Sequence, residues 1–295
     1  MLKRRSMLLV VLFSLLLWAS PVLADAERDS PAAFISSTTL SQGESALLTV
    51  AAPDRNVHVT ATWKGRHLPF YYETATGSLH AVVGIDLDEP PGKKTIPLCL
   101  EKPFTAEKKQ TIAFTVHKKV FPVQRLTLPE SQVTLSKKDL ERHRRERASV
   151  VKAMSTTSAE KLWLQPFVIP VSGRVSTPFG VKRILNNKPR NSHTGVDLSA
   201  PRGTPVIASS DGIVMLTGDH FFSGKTVFID HGVGIISMYF HLSEIHVAPG
   251  DAVRGGQKIG LVGSTGRSTG PHLHWGIRIN NQRTDPFSLL TLLGQ

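Results

Sequence analysis

The segment STGPHLHWGIR carries two histidines, His272 and His274, one residue apart. Its apolar residues predict a β-strand, in which residues i and i+2 project from the same face about 6–7 Å apart. Neutral imidazole is a common metal ligand, and it accepts and donates protons near neutral pH. One strand could therefore supply a metal ligand beside a proton-transfer group. The alternative for such an isolated pair is two half-exposed histidines on an edge strand.

A second set of metal-type donors lies in NSHTGVDLSAPRGTPV, where His193 and Asp197 are four residues apart. Extended chain of that length separates Cα atoms by about 13 Å. Ligands of one ion need donor atoms within a few ångströms of each other, because metal–ligand bonds are only about 2 Å long. The pair can share an ion only if the backbone bends, and we expect Gly195 to supply that freedom.

Two further histidines and one tryptophan in the same part of the chain carry predictions of their own. His241, in MYFHLSEI, lies on a predicted strand between apolar residues, where an imidazole needs a hydrogen-bond partner or a chemical role. His231 follows Asp230 in an apparent turn, and we expect it to organise that loop rather than bind a metal. Trp275 alternates with the two histidines of the HLH motif, which predicts that it packs in the core.

Four motifs, in order, resemble those of the lysostaphin-type zinc endopeptidases, which cleave peptides of bacterial peptidoglycan. They are HTGVDLSAPRGTPV, ASSDGIV, YFHLS and GSTGRSTGPHLHWGIR. The resemblance covers about residues 170–289 and implies a compact antiparallel β-fold with a groove over its largest sheet. It also implies a set of site residues. The zinc ligands would be His193, Asp197 and His274, and the catalytic histidines that do not bind metal would be His241 and His272.

The same resemblance implies a mechanism. One zinc ion with three protein ligands keeps a fourth position open, which is typical of a catalytic site. A zinc-bound water with a pKa of about 7 would attack the scissile carbonyl. Either His241 or His272 would transfer the proton to the leaving amine, and the other would hold the water or stabilise the oxyanion. The alternative function is a non-enzymatic, wall-binding activator of another hydrolase, which the complete ligand set disfavours.

The chain has 295 residues, enough for about two domains. Residues 1–24 predict a secretory signal peptide, with a basic start, an apolar run and small residues before a cleavage site after Ala24. Residues 33–120 alternate apolar and polar positions, and we interpret residues 25–120 as an Ig-like β-sandwich domain. We interpret residues 121–165 as a connector with a charged helix and residues 166–295 as the antiparallel β catalytic domain. The predicted fold class is thus all-β, with two domains.

Local signals give further expectations. Ser136 and Asp139 predict a capping box that opens a helix ending near Met154, with Val150 and Val151 in its apolar stripe.

Turn and loop signals add others. The Asp211–Gly212 pair predicts a hairpin turn. The glycine-rich residues 263–270 predict either a wall of the groove or an ordinary loop. The scattered histidines of the first domain are expected at the surface: His58, His67, His80 and His117.

Composition limits the partners and the compartment. The formal net charge is +12, which favours an anionic partner. With an export signal and no nucleic-acid motif, we expect peptidoglycan and no nucleic acid, in the periplasm or the extracellular cell wall. The basic run Lys137–Arg147 is expected to be a solvated helix face, with docking on an anionic polymer as the alternative. The single cysteine, Cys99, excludes an intramolecular disulfide, and we expect no transmembrane segment in the mature chain.

Overall fold

The structure is a computed structural model, and it describes residues 32–52, 56–101, 106–127, 135–189 and 191–294. The predicted signal peptide lies outside these residues. No helix of the described part is long and apolar enough to cross a membrane. Ala33–Gln295 form one compact unit, and the predicted boundaries at residues 120 and 165 stay predictions.

Strands dominate the described chain, as predicted. In chain order the elements are β1 Ala33–Ile35, β2 Thr39–Ser41, β3 Ser45–Ala51, β4 His58–Trp63, β5 Arg66–His67, β6 Tyr71–Glu73, β7 Ser78–Gly84, β8 Gly92–Glu101, β9 Lys108–His117, β10 Val123–Leu126, α1 Lys137–Met154, β11 Arg174–Thr177, β12 Lys182–Leu185, β13 Lys188–Pro189, β14 Gly195–Ser199, β15 Pro205–Ile207, β16 Gly212–His220, β17 Gly224–Gly232, β18 Ile235–Ile245, β19 Ala252–Val253, β20 Lys258–Val262, β21 Leu273–Ile279, β22 Gln282–Thr284 and α2 Pro286–Leu293.

The first part of the chain forms two sheets, with strand orders β1-β3-β7-β6 and β2-β9-β8-β4-β5. Their inward residues join a single hydrophobic cluster, so the sheets pack face to face as a sandwich. In β4 the apolar positions Val59, Ala61 and Trp63 are buried, as their period-two alternation predicts. The immunoglobulin-like topology stays a prediction. The surface prediction is wrong for His80, which is buried and lies 3.0 Å from the hydroxyl of Thr49.

Helix α1 begins where the capping signal predicts, because the side chain of Ser136 accepts a hydrogen bond from the backbone N–H of Asp139. Val150 and Met154 pack against a small apolar cluster on the larger sheet. Val151 is 59% exposed, so its predicted place in the apolar stripe is wrong. The helix is thereby fixed against the sheet that carries the site.

The larger sheet has the strand order β11-β14-β21-β18-β17-β16-β19, and its paired strands are antiparallel, as predicted. The hairpin predicted at Asp211–Gly212 is wrong. The preceding strand, β15, pairs with β20, whereas β16 pairs with β17 and β19. Trp275 is fully buried and its ring lies 6.3 Å from that of Phe287, which confirms its predicted core position.

Candidate metal centre

Strand register brings the predicted ligands together. In the antiparallel pair β14 and β21, Asp197 lies directly opposite His274. On its other side, His274 lies opposite Phe240 of β18, and the two rings stack with centroids 5.1 Å apart. His193 lies just before β14, and its backbone N–H donates to the carbonyl of Val181. Residues from distant parts of the chain therefore meet at the middle of the sheet.

Three donor atoms converge on one point. Nε2 of His193 lies 2.8 Å from Oδ1 of Asp197 and 2.8 Å from Nδ1 of His274. The third side of the triangle, from Nδ1 of His274 to Oδ1 of Asp197, is 2.9 Å. All three residues are buried. The structure thus places in contact the three residues that the sequence assigned to a metal.

The chemistry of these donors fits a zinc ion. Nδ1 of His193 donates to the carbonyl of Pro178 at 2.9 Å, which leaves Nε2 to face the other two donor atoms. In their metal-binding forms, this Nε2, Nδ1 of His274 and the carboxylate of Asp197 each offer a lone pair. Ligands of tetrahedral zinc lie about 3.3 Å apart for bonds of about 2.0–2.1 Å, so these atoms need to separate by only about half an ångström.

The electrostatics of the centre favour the protonation states in which Asp197 and His274 can bind a metal ion. Burial alone would raise the pKa of Asp197, but interactions with the imidazoles of His193 and His274 hold it well below its usual range. Burial lowers the pKa of His274 to about 4. At neutral pH the centre therefore holds a carboxylate and a neutral imidazole, the forms that bind metal ions.

Gly195 serves the site through its small size. Its φ does not lie in the left-handed region, so the predicted reason, backbone freedom, is wrong. An added Cβ would lie 2.4 Å from the carbonyl oxygen of Trp275 and 2.7 Å from Nε2 of His274. A side chain here would therefore displace the imidazole from the centre.

The two predicted catalytic histidines flank the centre. The rings of His241 and His272 lie 4.8 Å apart, and Nε2 of His272 is 3.8 Å from Oδ1 of Asp197. Nδ1 of His241 donates to the carbonyl of Thr265 at 2.8 Å, and Nδ1 of His272 donates to that of Gly270 at 2.8 Å. These contacts select, for the neutral form of each ring, the tautomer in which Nε2 is the acceptor.

His241 has two further features of a functional residue. Its backbone φ is 64°, a left-handed conformation that is rare for a residue with a bulky side chain. Burial, followed by the neighbouring His274, lowers its pKa to about 4. The strand is thus bent to hold a neutral imidazole beside the centre.

A cleft of about 720 Å³ opens beside the centre, and two of the predicted ligands, Asp197 and His274, line it together with the two flanking histidines. Arg267 to Gly270 form part of its lining, so this part of the glycine-rich segment does reach the predicted groove. Three lining residues come from the predicted connector: Gln124, Leu135 and His143.

Two other groups offer donor atoms without forming a comparable centre. His231 is fully buried, with its ring nitrogens 2.7 Å from the carbonyl of Asp211 and 2.7 Å from the hydroxyl of Ser237. Its structural role agrees with the prediction, but the predicted turn is wrong, because His231 lies within strand β17. At the surface, Cys99 donates to the carboxylate of Glu107 at 2.8 Å, and this hydrogen bond raises the pKa of the thiol to about 11. A protonated thiol is a poor metal ligand.

Comparison with known proteins identifies the family. Residues 191–286 match the model described as peptidase family M23. The crystal structure of a putative peptidase M23 from Pseudomonas aeruginosa is 35% identical and superimposes with a TM-score of 0.66, covering 85% of this chain and 94% of that one. The chain belongs to peptidase family M23, a family of metallopeptidases. The predicted relationship to the lysostaphin-type endopeptidases is thus confirmed.

Two curated relatives resemble part of the chain. The DD-carboxypeptidase/endopeptidase Mpg of Neisseria meningitidis is 48% identical over 116 residues, which are 39% of this chain and 27% of that protein. The peptidoglycan DD-endopeptidase ShyA of Vibrio cholerae is 43% identical over 112 residues, 38% of this chain and 26% of that protein. The matched segment thus spans about a quarter of the length of each relative.

Proposed function

We propose that this protein is a zinc-dependent endopeptidase that hydrolyses peptide cross-links or stem peptides of bacterial peptidoglycan. The observation that carries the proposal is the convergence of three possible metal-ligand atoms, from His193, Asp197 and His274, beside a cleft. The relatives named as DD-endopeptidases favour DD cross-links as the bonds that are cut.

The three buried donors would hold the zinc ion. When bound, such an ion supplies polarisation of a carbonyl group and acidification of a water molecule to a pKa of about 7. The chain keeps the donors deprotonated through the lowered pKa values of Asp197 and His274. The carbonyl of Pro178 accepts a hydrogen bond from Nδ1 of His193 and so fixes the orientation of that ring.

The two flanking histidines would handle protons. With both Nδ1 atoms donating to backbone carbonyls, the Nε2 atoms of His241 and His272 are two acceptors, one for each O–H of an attacking water. One of them takes a proton from that water and returns it to the leaving amine. The other keeps the water oriented towards the scissile carbonyl.

Peptidoglycan as the substrate agrees with an exported protein. We propose that residues 1–24 direct export and are removed, so that the enzyme acts in the periplasm or the extracellular cell wall. We also propose that residues 25–120 and 166–295 are the sandwich and catalytic domains, joined by residues 121–165.

The direct test is digestion of purified peptidoglycan by the full chain, with mass spectrometry of the soluble products. We expect cleaved cross-links or stem peptides, no release after treatment with a chelator, and recovery on addition of zinc. Equal products with and without the chelator would contradict the metal-dependent mechanism. No products, combined with stimulation of a second hydrolase, would instead support the non-enzymatic activator.

A further inference from the structure

The cleft has an unequal distribution of charge. Among its described lining residues, Asp197 is the one carboxylate, and it is buried in the metal centre. The lining includes two arginines, Arg183 and Arg267. If Asp197 neutralises part of the charge of a bound zinc ion, both guanidinium charges still add to the positive potential of the cleft.

Arg183 lies on the wall beside β14. It belongs to β12, and its Nη2 is 3.5 Å from Oδ2 of Asp197, the oxygen that does not face the two ligand histidines. The side chain is 32% exposed, so it remains open to the cleft. Its charge is therefore close to the reacting centre but also accessible to a substrate.

Arg267 lies on the opposite wall. It follows β20, and its backbone N–H donates to the carbonyl of Phe222, in the turn between β16 and β17. Its guanidinium lies 4.3 Å from the centre of the Phe222 ring. The Phe222 ring also packs against the ring of His143 in a T-shaped arrangement, with the ring centres 4.8 Å apart. The Phe222 contact thus fixes a second positive charge on the side of the sheet away from Arg183.

We propose that Arg183 and Arg267 make the cleft selective for peptides with a free carboxylate on each side of the scissile bond. Guanidinium groups bind carboxylates in a planar, two-pronged geometry, and a partly buried cleft strengthens such pairs. A peptide lying across β14, β21 and β18 passes both walls, so each arginine meets a different half of it. This inference rests on the proposed function, because it names the chemistry of the peptide that the same site cuts.

The test is a binding measurement that does not depend on turnover. The full chain carrying His272→Ala is titrated with a soluble cross-linked muropeptide dimer, and with the same dimer after its carboxylates are converted to amides. We expect amidation to weaken binding about tenfold or more. Arg183→Gln and Arg267→Gln should each weaken binding of the acid form several-fold and leave binding of the amidated form unchanged.

Controls separate charge from structure. Arg202→Gln changes an exposed arginine that does not line the cleft, and it should keep the full preference for the acid form. Arg183→Lys retains the charge but loses the two-pronged geometry, so it should restore only part of the preference, with equal zinc content in every variant. The proposal is overturned if both glutamine variants prefer the acid form as strongly as the parent does. Absence of cleavage by the wild-type chain would refute the proposed function alone, since the binding preference would still be measured.

Discussion

Two buried histidine clusters on the same sheet differ in how their polar atoms are satisfied. Around His231, the partners are a backbone carbonyl and the hydroxyl of Ser237, which the hydroxyl of Tyr239 contacts at 2.9 Å. Around His193, the partners are a carboxylate and a second imidazole. Hydroxyl groups rotate to donate or accept, so the first cluster is satisfied by its own hydrogen bonds. The second cluster brings together a carboxylate and two imidazoles, the groups that bind metal ions.

The largest expected effect tests the proposed metal site itself. His274→Ala removes one of the three converging donors, so we expect loss of zinc binding and a fall in kcat/KM of at least about a thousandfold. Zinc content by elemental analysis and cleavage of purified peptidoglycan would measure the two losses. Retention of both zinc and activity would show that His274 is not a ligand.

The next prediction separates metal binding from proton transfer within the site. His272→Ala and His241→Ala leave the three donors in place, so zinc content should stay near the wild-type value. Activity should fall by about a hundredfold to ten-thousandfold, because a positioned acid–base group is lost. Hydrolysis that persists at the wild-type rate in either variant would remove that residue from the mechanism.

The cluster around His231 should show its difference as a pH dependence of stability. Burial lowers the pKa of His231 to about 4, whereas in the unfolded chain it is about 6.5. Between these values the unfolded state binds the proton first, so the free energy of unfolding falls as pH falls, by about 3 kcal/mol from this group. Denaturant unfolding of the wild type and His231→Gln at pH 7 and pH 4.5 would measure it.

We expect the His231→Gln variant to be less stable at pH 7 but to lose less stability on acidification. Phe167→Leu is the matched control, because Phe167 packs against the ring of His231 at 5.0 Å and does not titrate. The loss in free energy of unfolding caused by Phe167→Leu should be the same at both pH values. The interpretation fails if His231→Gln shows the same acid sensitivity as the control.

The smallest expected effect concerns the space that the metal centre needs. Gly195→Ala should reduce the free energy of unfolding by about 1–3 kcal/mol and weaken zinc binding, because the new methyl group overlaps Trp275 and His274. Gly270→Ala is the matched control for stability, since an added Cβ there would meet no atom within 4 Å. Equal thermal stability of the two variants would contradict the close approach at Gly195.

Local sequence patterns correctly predicted the features that depend only on residues adjacent in the chain. The cap at Ser136 and the alternation of β4 involve residues that touch because they are adjacent in the chain. The hairpin at Asp211–Gly212 was wrong because its flanking strands find their partners elsewhere, in β20 and in β17 and β19. Such pairings are set by the whole sheet and leave no signal in a short turn.

The site shows the same difference between local features, which the sequence predicted, and contacts between distant segments, which it did not. Spacing indicated that a strand could present His272 and His274 on one side, but only the resemblance joined them to His193, Asp197 and His241. Those residues meet through the register of β14, β21 and β18, which pairs segments that are far apart in the chain, such as Asp197 and His274. The contribution of His143 to the cleft had no sequence signal, because it arises from the packing of α1 on the larger sheet.

The most direct measurement is a calorimetric titration of the metal-free full chain with zinc, alongside the His274→Ala variant. The convergence of the three ligand atoms predicts saturable binding of about one ion per wild-type chain and none of comparable affinity in the variant. Titration curves that coincide for the two proteins, or no saturable binding in the wild type, would contradict it.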